Sequence, residues 1–253
     1  MKYTYVRLPK AGLGNKLILW ATGYLHSKNT NSEFVHSSWF YLNIGPWIRN
    51  EKSKRLYFFS FKSRPLSKII YSIFFQVFSN FQFIKSNKNI TIFESSENFN
   101  LFFHSNYPNR FKIKQALLET LSNKTLISYQ KLTAPDIGVH IRRGDFKYGS
   151  DLTDIDFFYN KILEIRKVYG NSLRVTIFSD GTFEDLHKIL SINNVTISNN
   201  SEDILDILQL SMSSYCILSK DSTFSYWGAF FSNGKIFVSP SDVLLNQLLC
   251  ITN

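Results

Sequence analysis

Apolar and polar positions alternate at the start of the chain, where Tyr3 to Leu8 carries β-forming residues at a period of two and predicts a strand. A glycine loop follows, Ala11-Gly12-Leu13-Gly14-Asn15-Lys16, and then Leu17 to Leu25 is apolar and compatible with a helix. Strand, glycine loop and helix open a Rossmann-like half. Phe34-Val35 and the Trp39-Phe40 region suggest another short strand. Ile69 to Phe83 is aromatic and apolar with few charges. Its simpler reading is a helix packed in a core; the alternative is a face resting on an anionic membrane. Asn98 to Lys131 reads as a loop, a helix over Lys114 to Leu121, and a linker.

Pro135 marks a boundary, and after it the rhythm is clearer. Strands are predicted at Ile137 to Ile141, Val175 to Phe178, Val195 to Ile197, Tyr215 to Leu218 and Lys235 to Val238. Helices alternate with them: Phe157 to Tyr169, capped by Asp154 or Asp156, then Phe183 to Leu190, Asp203 to Met212 and Tyr226 to Phe231. Alternating β and α with short connections implies a parallel sheet covered on both faces. The expected class is therefore α/β with two Rossmann-like domains, residues 1–131 and 132–253.

Composition narrows the partners. The chain has 253 residues, 44% of them hydrophobic, with 24 Phe. No stretch reaches the roughly 18 to 20 apolar residues that cross a bilayer, and Met1 to Pro9 lacks a signal-peptide core. A cytoplasmic protein is expected, open to peripheral contact with the inner face of a membrane. Cys216 and Cys250 are too few for a disulfide framework and read as buried thiols. The net charge is +10, which favours an anionic partner. No zinc spacing, RNA-binding aromatic signature or helix-turn-helix pattern stands out, so nucleic acid is not expected. Residues 49–68 hold seven basic residues and one acidic one, a stretch suited to an anionic membrane.

The most informative motif is Gly138-Val139-His140-Ile141-Arg142-Arg143-Gly144-Asp145. It begins as a buried strand and ends in a charged loop, and open α/β sheets bind ligands outside the carboxyl ends of their strands. Two adjacent arginines there call for an anion, and the planar guanidinium suits phosphate. Successive side chains diverge, so one arginine meets phosphate and the other pairs with Asp145 or shapes the loop. A second block, Ser219-Lys220-Asp221-Ser222-Thr223-Phe224-Ser225-Tyr226-Trp227-Gly228, also leads from a strand into a helix. Its hydroxyls and free N–H groups make either an anion site or ordinary helix capping. The glycine loop, with Gly12, Gly14, Asn15 and Lys16, has only two glycines of the dinucleotide fingerprint and is weak as a nucleotide motif. Asp154-Ile155-Asp156 could hold a metal, but acidic residues before a helix are usually caps. Asp180, after a strand, is better placed for a ligand. The five histidines show no metal spacing.

These residues resemble the α-1,2-fucosyltransferases of glycosyltransferase family 11, and more distantly the α-1,6- and protein O-fucosyltransferases. The glycine loop with Leu17 to Tyr24 looks like the family's Gly-Gly-Leu-Gly-Asn-Gln opening. His140 to Asp145 matches its His-x-Arg-Arg-Gly-Asp motif. Asp206 to Met212 with Ser222 to Ala229 looks like its Asn-Ser-(Ser/Thr)-Phe-Ser-Trp-Trp block and lead-in. The likeness covers most of the chain except about residues 45–130. Ala11, Lys16, Gly181, Asp221 and Tyr226 depart from the pattern.

The resemblance implies a GT-B fold whose two domains face each other across a cleft. The first would be the acceptor side and the second would bind the nucleotide sugar. It implies an inverting enzyme in surface polysaccharide or O-antigen synthesis, with GDP-fucose or a related GDP-6-deoxyhexose as donor and an oligosaccharide or lipid-linked glycan as acceptor. No metal or other cofactor is implied. Arg142 would meet the β-phosphate, His140 the ribose or phosphates, and Ser222, Thr223, Phe224 and Ser225 would line the diphosphate. Asp206 would face guanine. Arg143 and Asp180 complete the donor set, Gly12 to Lys16 the cleft loop, and Asp145 stands beside Arg142 as a catalytic candidate. Two rival readings stay open: a metal-dependent GT-A-type enzyme using Asp154 and Asp156, and a non-catalytic nucleotide-binding module.

Overall fold

Parallel strands organise both halves of the protein, seen in a computed structural model that describes residues 1–39, 57–95, 99–144, 152–239 and 242. The described residues up to Leu126 form one unit, and those from Ile127 form a second. The division falls within a helix, Asn123–Gln130, just before the sequence boundary at 131.

In the first unit, β1 (Tyr3–Val6) pairs in parallel with β2 (Glu33–His36) on one side and β3 (Ile90–Phe93) on the other. Helix α1 spans Leu13–Thr30, with Gly12 at its N-cap. It begins four residues before Leu17, so most of the supposed glycine loop is its first turn. Gly12 has φ −61° and open space where a Cβ would sit, so backbone geometry does not demand glycine there. At Gly23 packing does: a Cβ would stand 2.1 Å from Val6 Cγ2, because α1 lies tightly on the sheet.

Three further features of this unit escape the sequence pattern. Strand β3 was not expected. Helix α2 (Leu66–Phe78), followed by the short α3 (Gln82–Lys85), does not sink into a core; it buries only a narrow strip around Ser72 and Phe75 and leaves its apolar side exposed. The expected loop and linker between 98 and 131 are largely helical: α4 (Phe99–Asn106), α5 (Arg110–Thr120) and α6 (Asn123–Gln130).

In the second unit, five parallel strands lie in the order β6-β5-β4-β7-β8. They are β4 (Ile137–Ile141), β5 (Val175–Ser179), β6 (Val195–Ile197), β7 (Tyr215–Leu218) and β8 (Lys235–Val238). Helices α7 (Ile155–Tyr169), α8 (Phe183–Leu190), α9 (Asp203–Leu210) and α10 (Thr223–Phe231) connect them. Central β4 is buried at all five positions, which is why it reads as a continuous apolar run. Its core partners include Phe158, Ile162, Ile177 and Leu186. The chain winds from β4 to β5 and β6, then crosses back to β7 and β8. The winding direction thus reverses between β4 and β7, and such a reversal opens a crevice at the strands' carboxyl ends.

Candidate functional site

The carboxyl ends of β5, β4 and β7 converge at that crevice, and hydroxyls stitch them together. Ser219, just after β7, donates its hydroxyl to His140 O at 3.0 Å and accepts the Arg142 backbone N–H at 2.8 Å. Ser179, ending β5, donates to Ile141 O at 2.7 Å. The strand that carries the arginines is therefore held from both sides.

Asp180 organises the arginine loop. Its Oδ1 accepts the backbone N–H groups of Arg143 at 2.7 Å and Gly144 at 3.1 Å, and its Oδ2 pairs with Arg142 Nη1 at 2.7 Å. Gly144 is required for this approach, since a Cβ there would stand 2.5 Å from Asp180 Oδ2. Asp180, a ligand candidate in the sequence, thus has its carboxylate engaged in orienting Arg142. Ion pairing at a partly exposed position leaves Arg142 a charged, aimed guanidinium.

The two arginines part as strand alternation requires. Arg142 is partly exposed, whereas Arg143 is buried and donates through Nη1 to Thr153 O at 3.0 Å. Burial lowers the Arg143 pKa, and the charges of Asp185, Asp154 and Asp180 oppose that shift. Thr153 also accepts the Lys220 N–H on its Oγ1 at 3.0 Å, tying the arginine loop to the segment after β7. Thr153 has no signal in the sequence, and Ser219, at the head of the second block, reads there as part of an anion site or a helix cap rather than as a clamp on β4. Asp145, the other catalytic candidate, lies outside the described residues.

His140 points to the helical side of the crevice. Its Nδ1 lies 2.7 Å from Ser225 Oγ, and its ring stacks on Phe224 with centroids 4.6 Å apart. Burial, reinforced by the Arg142 charge, pushes its pKa down to about 3, so the imidazole is neutral at ordinary pH. A neutral ring can serve as one hydrogen-bond donor and one acceptor without competing for an anion.

Helix α10 begins at Thr223, three residues earlier than the sequence suggests, with Ser222 at the N-cap making no side-chain cap bond. Ser225 therefore lies inside the helix, fully buried against His140, and the hydroxyls near the free helix terminus are those of Ser222 and Thr223. Asp221 just before them has φ +54°, a left-handed turn that aspartate tolerates better than most residues.

Asp206 sits in the first turn of α9, where Asn200 Nδ2 donates to its Oδ1 at 2.9 Å and Ser198 donates to the same oxygen. Asn200 also donates to Gln209 Oε1 at 2.8 Å. Ser198 and Asn200, unnoticed in the sequence, fix this carboxylate. Asp154 caps α7 by accepting the Asp156 N–H at 3.0 Å, and Asp156 pairs with Lys188. Capping and a surface ion pair account for both residues. Among the described residues no group of three metal-ligating side chains comes together.

In the first unit, Gly12, Gly14, Asn15 and Lys16 gather at the N-terminus of α1. The N–H of Leu13 there is met by Tyr57 Oη at 3.1 Å. Asn15 Oδ1 is buried and has no hydrogen-bond partner among the described residues. Lys16 is buried, and desolvation lowers its pKa to about 8.

Comparison with known proteins sets this geometry in a family. The model of glycosyl transferase family 11 matches residues 60–242, well over half of the chain. The chain belongs to glycosyl transferase family 11. The family match takes in the arginine loop, Asp180, Asp206 and the α10 block, and also residues 60–130, which the motif resemblance left uncovered. It stops short of the glycine loop. Comparison with curated proteins found no match.

Among solved structures, this family 11 chain is similar to POFUT1 in complex with GDP, at 9% identity and a TM-score of 0.56, covering 94% of this chain and 98% of that one. It is also similar to the Arabidopsis thaliana FUT1 in complex with GDP, at 11% identity and 0.53, covering 94% and 70%. The NodZ α-1,6-fucosyltransferase soaked with GDP-fucose matches at 12% identity and 0.52, covering 92% and 93%. At such identities the likeness is one of fold.

Proposed function

We propose that the protein is an inverting, metal-independent glycosyltransferase that moves fucose, or a related 6-deoxyhexose, from its GDP-sugar to a hydroxyl of a glycan acceptor. The linkage we favour is α-1,2, in surface polysaccharide synthesis. Membership of family 11 supports the reaction class, and the GDP and GDP-fucose complexes of proteins with the same fold favour the guanine nucleotide. The observation that carries the reading is Arg142, oriented by Asp180 at the point where the sheet reverses direction.

The acceptor oxygen forms a bond to the anomeric carbon as the bond from that carbon to the β-phosphate oxygen breaks. The electron pair of the broken bond leaves with GDP, and the acceptor's proton passes to solvent or to Asp145. Negative charge grows on the departing diphosphate. Arg142 and the N-terminus of α10, with Ser222 and Thr223, meet that charge where it develops. Neutral His140 and Phe224 support the helix start, and Asp206 accepts guanine N–H groups. The capping role of Asp154 speaks against a metal held by Asp154 and Asp156.

A donor screen over GDP- and UDP-sugars, read as free-nucleotide release with and without EDTA, tests this reading. GDP-fucose or a close GDP-6-deoxyhexose should turn over with EDTA present. Preference for UDP-sugars, or arrest by EDTA, would overturn it. Tight GDP binding with no turnover of any donor would instead make the protein a nucleotide-binding module.

A further inference from the structure

Helix α2 presents its apolar side to solvent. Leu66, Ile70, Ile73 and Val77 recur at helical spacing, and each is more than half exposed. Phe74, on the same side, is partly exposed. The patch continues beyond the helix through ring contacts from Phe74 to Phe78 at 5.0 Å, Phe78 to Phe81 at 5.6 Å and Phe81 to Phe83 at 6.1 Å. Phe81 and Phe83 are also more than half exposed. The opposite strip, with Ser72 and Phe75, holds the helix to the sheet through Phe75 on Tyr5 at 5.1 Å. The more apolar face is thus the outward one, the reverse of an ordinary surface helix. Contiguous exposed apolar surface of this kind marks a docking site.

Charge identifies the occupant. From Tyr57 to Phe93 the sequence contains no Asp or Glu, while Lys62, Arg64, Lys68, Lys85 and Lys88 lie on both sides of the apolar run. Lys62 and Lys88 are exposed, Lys62 with its ammonium on Glu119 O at 2.9 Å; Lys68 pairs with Glu33 at 2.8 Å, and Arg64 turns inward to donate to His36 O. A second copy of this chain, itself carrying +10, would set one basic rim against another. No described helix is long and apolar enough to cross a membrane. An apolar helix face flanked along the chain by basic residues and by no acidic one, with Lys62 and Lys88 exposed, fits a helix lying in the plane of an anionic bilayer surface.

We infer that α2 and α3 form a membrane-docking face, with the apolar side chains entering the headgroup and acyl boundary and the basic rim meeting anionic lipid. The surface is distinct from the donor-site residues of the second unit, so this inference stands or falls apart from the proposed reaction.

Cosedimentation of the full chain with vesicles tests it. Vesicles of equal parts phosphatidylcholine and phosphatidylglycerol should pellet the protein, less so as salt rises, and phosphatidylcholine alone should pellet it far less. The triple variant Ile70→Ser, Ile73→Ser, Val77→Ser changes only exposed positions and should keep the native circular dichroism. It should lose at least about a hundredfold in partitioning. Lys88→Gln should lose about fivefold. Failure of the native protein to bind the mixed vesicles would overturn the inference, as would unchanged binding by the triple variant. Self-association in the ultracentrifuge that the triple variant abolishes, with no vesicle binding, would assign the face to a second copy instead.

Discussion

At the residue scale, neighbouring arginines of one type do different work because their surroundings differ. Arg142 is held by Asp180 at a partly exposed position, and Arg143 is buried on Thr153 O. Arg143→Ala should therefore act through stability, costing about 2–4 kcal/mol by leaving buried partners unmet, and a denaturant melt would register it. Asp180→Asn keeps an acceptor for the two backbone N–H groups but loses the charge facing Arg142. It should fold normally and lower kcat by roughly tenfold or more through misorientation of the guanidinium. An unchanged kcat in a well-folded Asp180→Asn protein would remove Asp180 from the site's positioning. The motif and its division of labour were legible in sequence because strand alternation forces adjacent side chains apart. Asp180's grip on the loop was not, since nothing in the sequence tells that a carboxylate just after β5 reaches the backbone after β4.

At the element scale, the second unit was legible and the first much less so. Strands β4, β5 and β7 are short, almost wholly buried and separated by amphipathic helices, so apolar runs and caps mark their limits. The start of α10 was misread because serine and threonine before Tyr226 look like a loop. Ser225 is buried, with its hydroxyl on His140, a partner 85 residues away. For helix α2 the sequence leaves a core helix and an outward apolar face side by side, as an aromatic run says nothing of which side faces out; the structure turns the apolar side outward. Asp154 at the head of α7 gives a clean test of capping against metal binding. Asp154→Ala should cost about 1 kcal/mol of stability, read by thermal melting, with nucleotide release unchanged in the presence of EDTA. Loss of turnover without loss of stability would revive the metal-site reading.

At the scale of the whole molecule, each unit buries a histidine near the carboxyl end of its sheet. Burial pushes His36 down to about 4 and His140 to about 3, with the Arg64 and Arg142 charges acting in the same direction. Both values lie below the ordinary 6.5 of an unfolded chain, so the unfolded state binds protons first on acidification. Stability is therefore lost as pH falls below about 6.5, by up to about 1.4 kcal/mol per pH unit for each histidine, until the folded pKa is reached. Melting temperatures taken from neutral pH to about pH 4.5 should show that decline, and His140→Gln should make it shallower. A profile identical in the variant would mean that His140 is not a buried neutral group.

The donor site rests above all on Arg142. The most direct measurement is GDP release from GDP-fucose, in the presence of acceptor and EDTA, by the native protein and by Arg142→Ala and Arg142→Lys. Loss of one charge-stabilising contact costs roughly 3–4 kcal/mol, or two to three decades in rate. The alanine variant should thus fall at least about a hundredfold in kcat while melting like the native protein, with lysine recovering only part of the loss. Near-native turnover by Arg142→Ala would contradict the account.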